Sequence, residues 1–313
     1  MESLSEVKSL LLTGANGFVG RSIVEKLASL NRDQLPNEIV LVTRNGIQFE
    51  LPKEISTITN VVQQDLTQKW TIDFESTHII NLAADGSRSS YSDNANEVFR
   101  VIGNKFAEWI EFKKITPRVF HASSGACFGY SPLSPIQPAN NLKENFIQSR
   151  IDIENLLKTA SESGKFQLTI GRLFTFAGTN LLRKDQYAVT DFIYSGLKNG
   201  IVHVKGDPGT IRSYMHQSTM AEWILQSIVI PECPEDLQIG SSEKVSIGEL
   251  AEYVAELTGS EVNYSDFPQA GDVYLPNIDS TRAKLGLGEG MHWKSAVLEM
   301  INEAKLEIHD HNY

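Results

Sequence analysis

Cysteine is scarce in this chain: 2 in 313 residues, Cys127 and Cys233. That is too few for a disulfide framework and fits a reducing compartment. Basic residues are outnumbered, 28 Lys and Arg against 39 Asp and Glu, for a formal charge of −11. A nucleic-acid-binding surface needs clustered cations to neutralise phosphates, so that class is not expected. Nowhere do apolar residues run unbroken for the roughly 18 positions that a membrane span requires. The start, Met1-Glu2-Ser3-Leu4-Ser5-Glu6, is acidic where a signal peptide is basic. A cytoplasmic protein, away from membranes, is the expectation. The composition, 41% hydrophobic and 21% charged, is ordinary for a globular chain able to bury a core.

What is present is a rhythm. Ser9-Leu10-Leu11-Leu12-Thr13 is a short apolar run that stops at glycine, as a strand buried on both faces does. Val19, Ile23, Val24, Leu27 and Leu30 then recur at helical spacing. Strand patterns return at Glu38–Thr43, Asn60–Val62, His78–Leu82, Arg118–Ala122 and Leu168–Leu173, with helical patterns through Val98–Ile110 and Ile151–Leu157. This alternation predicts an α/β fold, a Rossmann-type doubly wound parallel sheet with a smaller α/β substrate-binding lobe. The expected division is a dinucleotide-binding domain over 1–176, with a returning segment near 217–240, and a lobe drawn mainly from 177–313. In that second part the patterns are a strand at Ile201–Val204, a helix near Met220–Ile230, and a helix over Ser246–Thr258 stopped at Gly259. Pro132, Pro135 and Pro138 mark a surface loop. His309 to Tyr313 reads as a frayed end without a metal site.

Gly14, Gly17 and Gly20 lie between the first strand and the first helix. Glycine there permits a tight turn, close approach of a pyrophosphate and close helix–strand packing. The helix start offers unpaired N–H groups and the positive end of its dipole. The segment Thr13-Gly14-Ala15-Asn16-Gly17-Phe18-Val19-Gly20 is therefore expected to bind a nicotinamide dinucleotide. A fold of this type that selects NAD carries an acidic residue after the second strand. Here Thr43-Arg44-Asn45 stands instead, and a guanidinium suits a 2′-phosphate, so NADP is expected over NAD.

With these elements in place, the chain resembles the extended short-chain dehydrogenase/reductase family, in particular its nucleotide-sugar epimerases and dehydratases. Thr13 to Gly20 matches TGxxGxxG. Asp65-Leu66 matches the pair that contacts adenine in relatives, and Asn81-Leu82-Ala83-Ala84 matches the H-L-A-A segment beneath the cofactor. Ser123-Ser124-Gly125-Ala126-Cys127-Phe128-Gly129 is similar to S-S-x-x-V-Y-G, which puts Ser124 at the catalytic Ser/Thr position. Arg172 to Gly178 resembles R-x-F-N-x-x-G, with Thr175 facing substrate. Arg212-Ser213-Tyr214-Met215-His216 resembles R-D-Y-x-H, whose arginine grips the substrate diphosphate. Leu237-Gln238-Ile239-Gly240 and Leu285-Gly286 match later landmarks. The resemblance implies a nucleotide-diphosphate sugar as substrate and a homodimer built through two long helices of the first domain.

The departures bear on chemistry. The family's Tyr-x-x-x-Lys pair falls, in register with Ile151–Leu157, on Phe146 and Arg150. In relatives the tyrosine hydroxyl exchanges a proton with the sugar while the lysine lowers its pKa and holds the nicotinamide ribose. Phenylalanine carries no exchangeable proton. Arg150 keeps a cation able to bond a ribose, with a different shape. Arg100 replaces an asparagine, and Cys127-Phe128 replaces Val-Tyr. Ser124-Gly125-Ala126 replaces the Thr-Asp-Glu of 4,6-dehydratases, which disfavours that reaction. Substitutes for the tyrosine include Cys127, whose thiol a nearby Arg150 would acidify, and Asp85 on a loop beside the substrate. Tyr130, His121 and His216 are the remaining ones. Two readings stand: an epimerase, dehydratase or ketoreductase with altered acid–base residues, or a cofactor-binding regulatory or scaffold protein without catalysis.

Overall fold

Leu10–Thr13 forms β1, and glycine ends it before α1 (Phe18–Ala28) begins. The chain continues through β2 (Ile39–Thr43), the single turn α2 (Lys53–Ser56), β3 (Thr59–Gln63) and β4 (His78–Asn81). Next come α3 (Asp93–Ile110), β5 (Arg118–Ser124), α4 (Asn141–Ser161) and β6 (Gln167–Leu173). The computed structural model describes residues 1–84, 92–128, 141–182, 187–266 and 271–310, without the side chains of 141–143 and 310. Asp85, Gly129, Tyr130 and the three loop prolines lie outside the described residues.

The second part adds β7 (Phe176–Ala177), α5 (Ala188–Asn199), β8 (Ile201–Val204), β9 (Ile211–Arg212) and β10 (Met215–His216). It ends with α6 (Gln217–Ser227), β11 (Asp236–Ile239), β12 (Val245–Ser246), α7 (Ile247–Thr258), β13 (Glu261–Tyr264), α8 (Asp279–Leu285) and α9 (Trp293–Asp310). Among the described residues the main sheet has seven strands in the order β11-β6-β5-β4-β1-β2-β3, all parallel. The order reverses at β1, so a crevice opens beyond the carboxyl ends of β1 and β4. This is the expected Rossmann-type α/β sheet.

Side chains alternate across the sheet. Leu10, Leu12, Leu41, Ile80 and Phe120 pack with α1 and α6, whereas Leu11, Val40, Val42, Ile79 and Val119 pack with α3 and α4. Both faces are dry, which is why the central strands read as unbroken apolar runs. Gly103 on α3 gives room to Ile153 of α4, where a Cβ would meet that side chain at 2.6 Å. A third cluster joins α5, α7 and α9. The segment carrying α6 and β11 packs on the first cluster, and so do Ile278 and Leu285 at the ends of α8.

Several sequence expectations match element by element. α7 starts at Ser246, whose hydroxyl accepts the Glu249 N–H in a capping box, and ends at Gly259 with φ 69°. Four helices escaped the reading, the short α2 and α8 and the longer α5 and α9. In α9 the core-facing Ala296, Val297, Met300, Ile301 and Ala304 share the helix with exposed Leu298 and Leu306, which blurs the period. Of the tail expected to be frayed, His309 and Asp310 belong to α9, and His311, Asn312 and Tyr313 lie outside the described residues. No helix among the described residues is long and apolar enough to cross a membrane.

Gly171 on β6 lies under the Phe120 ring, and a Cβ there would run into it. Gly171→Ala is expected to lower unfolding free energy by about 1–3 kcal/mol through overpacking. Urea denaturation reads this as a lower midpoint with unchanged slope; an unchanged midpoint would mean that the ring moves aside freely.

Candidate active-site cleft

The site starts from the buried end of β1. The Thr13 hydroxyl donates to Asn81 Oδ1 at 2.8 Å and accepts the N–H groups of Leu82 and Ala83, each at 3.1 Å. The Asn81 amide passes the chain on to His121 Nδ1 at 3.2 Å. Burial pushes the His121 imidazole down to about 4, so it is neutral and part of this support. Above it the chain turns at Gly14, whose φ of +72° is left-handed. A Cβ at Gly14 would press on the Leu82 backbone at 3.1 Å, and one at Gly20 would approach Ala15 Cα at 2.7 Å. These two glycines let the turn, β4 and α1 close together. Gly17 begins α1 without a side-chain cap, which leaves its first N–H groups for a ligand.

The turn opens into a cleft of about 680 Å³. Its walls include every cofactor position inferred from sequence except Arg150: Gly14, Asn16, Gly17, Phe18, Val19, Gly20, Arg44, Asp65, Leu66, Leu82, Ala83 and Ala84. Asn16 reaches across to the loop after β2, donating to Gly46 O at 2.8 Å and accepting the Gln48 N–H at 2.9 Å. Arg21 holds the same loop through Gln48 O and stacks on Phe49. Arg44 stands exposed on the rim. The Asp65 carboxyl is held below its usual range by the N–H and hydroxyl of Thr67, with help from Arg44.

A second cavity, about 450 Å³, adjoins the first and shares Phe18, Phe174, Phe176 and Tyr187 with it. Arg212 and Thr175, the expected substrate residues, line it. Arg212 is paired with Asp272 at 2.7 Å, and Thr175 Oγ1 is buried with no partner among the described residues. Asp191, His203, Lys205 and Asp207 line the same cavity and were missed. The available signal was His203 and Lys205 alternating on a short strand ahead of the Gly206-Asp207-Pro208-Gly209 turn.

The positions expected to be catalytic look different. Ser124 ends β5 and its hydroxyl accepts the Ala126 N–H at 3.2 Å. Arg150 is buried; it donates to Asn96 Oδ1 at 2.9 Å and Ser149 Oγ at 2.7 Å, and its guanidinium lies against Phe99 and Phe146 at 4.1 and 3.9 Å. Neither Ser124 nor Arg150 lines either cavity. The expectation of a Cys127 thiol acidified by Arg150 is overturned. Burial pushes that thiol up to about 11, and the charge facing it is the Glu154 carboxylate. Glu154 takes two bonds from Arg172, at 3.0 and 2.5 Å, and one from Ser123 at 2.5 Å. Burial alone would raise its carboxyl; these donors more than offset that and hold it low. His216 caps α6 through the Ser218 N–H and meets Glu299 at 3.0 Å, a structural post.

Known proteins share this framework. A family model described as the NAD dependent epimerase/dehydratase family matches residues 10–240. The chain is 25% identical to the UDP-glucuronic acid decarboxylase 3 of Arabidopsis thaliana, over 88% of this chain and 83% of the relative. A solved UDP-glucose 4-epimerase from Thermotoga maritima, with UDP-glucose, superposes with TM-score 0.78 at 17% identity, covering 96% of this chain and 99% of that one. The Bordetella bronchiseptica enzyme WbmF with NAD+ gives 0.76 at 17% identity, covering 97% and 94%.

In a Cys233→Ser background at pH 8, iodoacetamide is expected to alkylate native Cys127 about a hundredfold more slowly than the urea-unfolded chain. The native rate should climb as pH approaches 11. Equal rates in the two states would show that the Glu154 side of the site does not suppress the thiol.

Proposed function

Because the chain belongs to the NAD dependent epimerase/dehydratase family, we propose that it binds a nicotinamide dinucleotide in the larger cavity and a nucleoside diphosphate sugar in the smaller one, and modifies that sugar. The observation that carries this is the bare start of α1 behind Gly14, Gly17 and Gly20, opening into a cleft joined to the cavity of Arg212. The fit is local and physical: a Cβ at Gly17 would meet only Gly14 O, at 3.3 Å, so the pyrophosphate side of the turn is bare backbone. Leu66 and Asp65 stand where an adenine would lie, and Leu82 to Ala84 form the wall beneath the ribose and nicotinamide. When bound, the nicotinamide supplies a hydride acceptor and donor. The UDP-glucose and NAD+ in the two solved neighbours support this choice of ligands.

Within this reading Arg212 pairs with the diphosphate, Thr175 gives its free hydroxyl to the sugar nucleotide, and Ser124 polarises a sugar oxygen. Arg44, with no carboxylate beside it in Thr43-Arg44-Asn45, favours NADP over NAD. Arg150 contributes a positive field from within the protein. The protein works in the cytoplasm as a homodimer built on the outer faces of α3 and α4. One observation favours the other reading, a binder without turnover: Phe146 and the committed Arg150 leave the family's usual proton relay unbuilt.

Cofactor choice is read by fluorescence titration with NADPH and NADH. Arg44→Ala should weaken NADPH about tenfold or more and leave NADH nearly unchanged, since only the 2′-phosphate meets the guanidinium; an equal loss for both would remove the NADP assignment. Turnover is read at 340 nm and by sugar stereochemistry with UDP-, dTDP-, GDP- and CDP-sugars. Conversion that Ser124→Ala abolishes supports the enzyme. Tight binding of both ligands with no conversion leaves the binder.

A further inference from the structure

Phe146 removes a phenol from α4, yet a phenol stands close by from the opposite lobe. Tyr274 follows the Ile211–Val273 bridge on the strand-like segment after Asp272. Its ring packs on Phe174 with centroids 4.9 Å apart, and Phe174 belongs to the wall shared by both cavities. Gly125, the residue after Ser124, is the marker of where the hydroxyl lies. A Cβ on Gly125 would meet the Phe174 ring at 2.6 Å and the Tyr274 hydroxyl at 2.7 Å. The absence of a side chain at 125 is thus what admits the Tyr274 hydroxyl to the carboxyl end of β5. The Arg212 guanidinium stands 5.8 Å from the Tyr274 ring, so the phenol and the diphosphate ligand proposed above share one corner.

We propose that Tyr274 is the proton-transfer group of this site, replacing from the carboxy-terminal lobe the phenol that α4 lacks; this rests on the sugar-nucleotide reading given above. In the oxidative direction a sugar C–OH loses its O–H proton to the Tyr274 phenolate as its C–H leaves with two electrons to the oxidised nicotinamide, and the C–O bond becomes C=O. The reverse returns hydride to carbon and the phenolic proton to oxygen. Three nearby groups are less suited. Burial pushes the Tyr214 phenol up, away from proton release. Cys127 is suppressed as described, and Lys205 is paired with Asp191 at 2.9 Å.

The test compares Tyr274→Phe with the unaltered protein and with the double variant Tyr274→Phe/Phe146→Tyr. Turnover of the sugar panel, binding of NADPH and UDP, and the tyrosine ultraviolet difference spectrum on adding UDP-glucose are measured for each. Tyr274→Phe keeps the ring and is expected to bind both ligands within about twofold, while losing about a hundredfold or more in turnover and losing the tyrosine difference signal. The double variant should recover part of the turnover. Wild-type turnover retained by Tyr274→Phe would overturn the proposal. If the unaltered protein binds both ligands without turnover, the difference signal decides: its loss in Tyr274→Phe supports the placement, and its persistence overturns it. A protein that binds neither ligand overturns the sugar-nucleotide reading and this proposal with it, whereas retained binding confines failure to Tyr274.

Discussion

The hydroxyl of Thr13 ties the end of β1 to the end of β4. Bonding Asn81 on one side and the N–H groups of Leu82 and Ala83 on the other, it locks β1 to β4 where the strand order reverses. Thr13, Asn81 and Ala83 are buried, so a bond lost among them would leave a polar group without water, a cost of about 1–3 kcal/mol. The left-handed Gly14 and the close Gly20 contact follow from that junction, because the turn must rise between the Leu82 backbone and the start of α1. The cleft is the space this junction leaves open. Its most helpful feature for an anion, uncapped N–H groups on a helix axis, comes from the same few residues.

Beneath the cleft, charge is arranged to stay put. Buried Glu154 pairs with the part-buried Arg172 and is tied to Ser123, and Arg150 is held by Asn96 between two aromatic rings. Buried ions tolerate the interior only when their bonds are filled, and here they are filled by neighbours within the first lobe. The polar side chains lining the smaller cavity include Arg212 of β9 and Lys205 and Asp207 after β8.

The main sheet and its glycine turn were legible because both faces of each central strand are buried, leaving apolar runs that stop abruptly at Gly14 and Asn81. Order along the chain also located the cleft walls, since the expected positions follow the ends of β1, β2, β3 and β4. The error at Cys127 has a geometric origin. Arg150 and Glu154 are one helical turn apart on α4, and only the packing against Asn96 and Arg172 shows which of them meets the thiol. Likewise, nothing in the linear sequence ties Tyr274 to Gly125. Their meeting depends on how the lobe folds back through α6 and β11, a long-range event that local periodicity does not encode.

The most direct measurement is a crystal structure of this chain with NADP and UDP-glucose bound together. The account predicts density for the pyrophosphate against Gly14, Gly17 and Gly20, and for the sugar between Ser124 and the Tyr274 hydroxyl. A dinucleotide lying away from that turn, or a sugar turned toward Phe146 with Tyr274 remote, would contradict it.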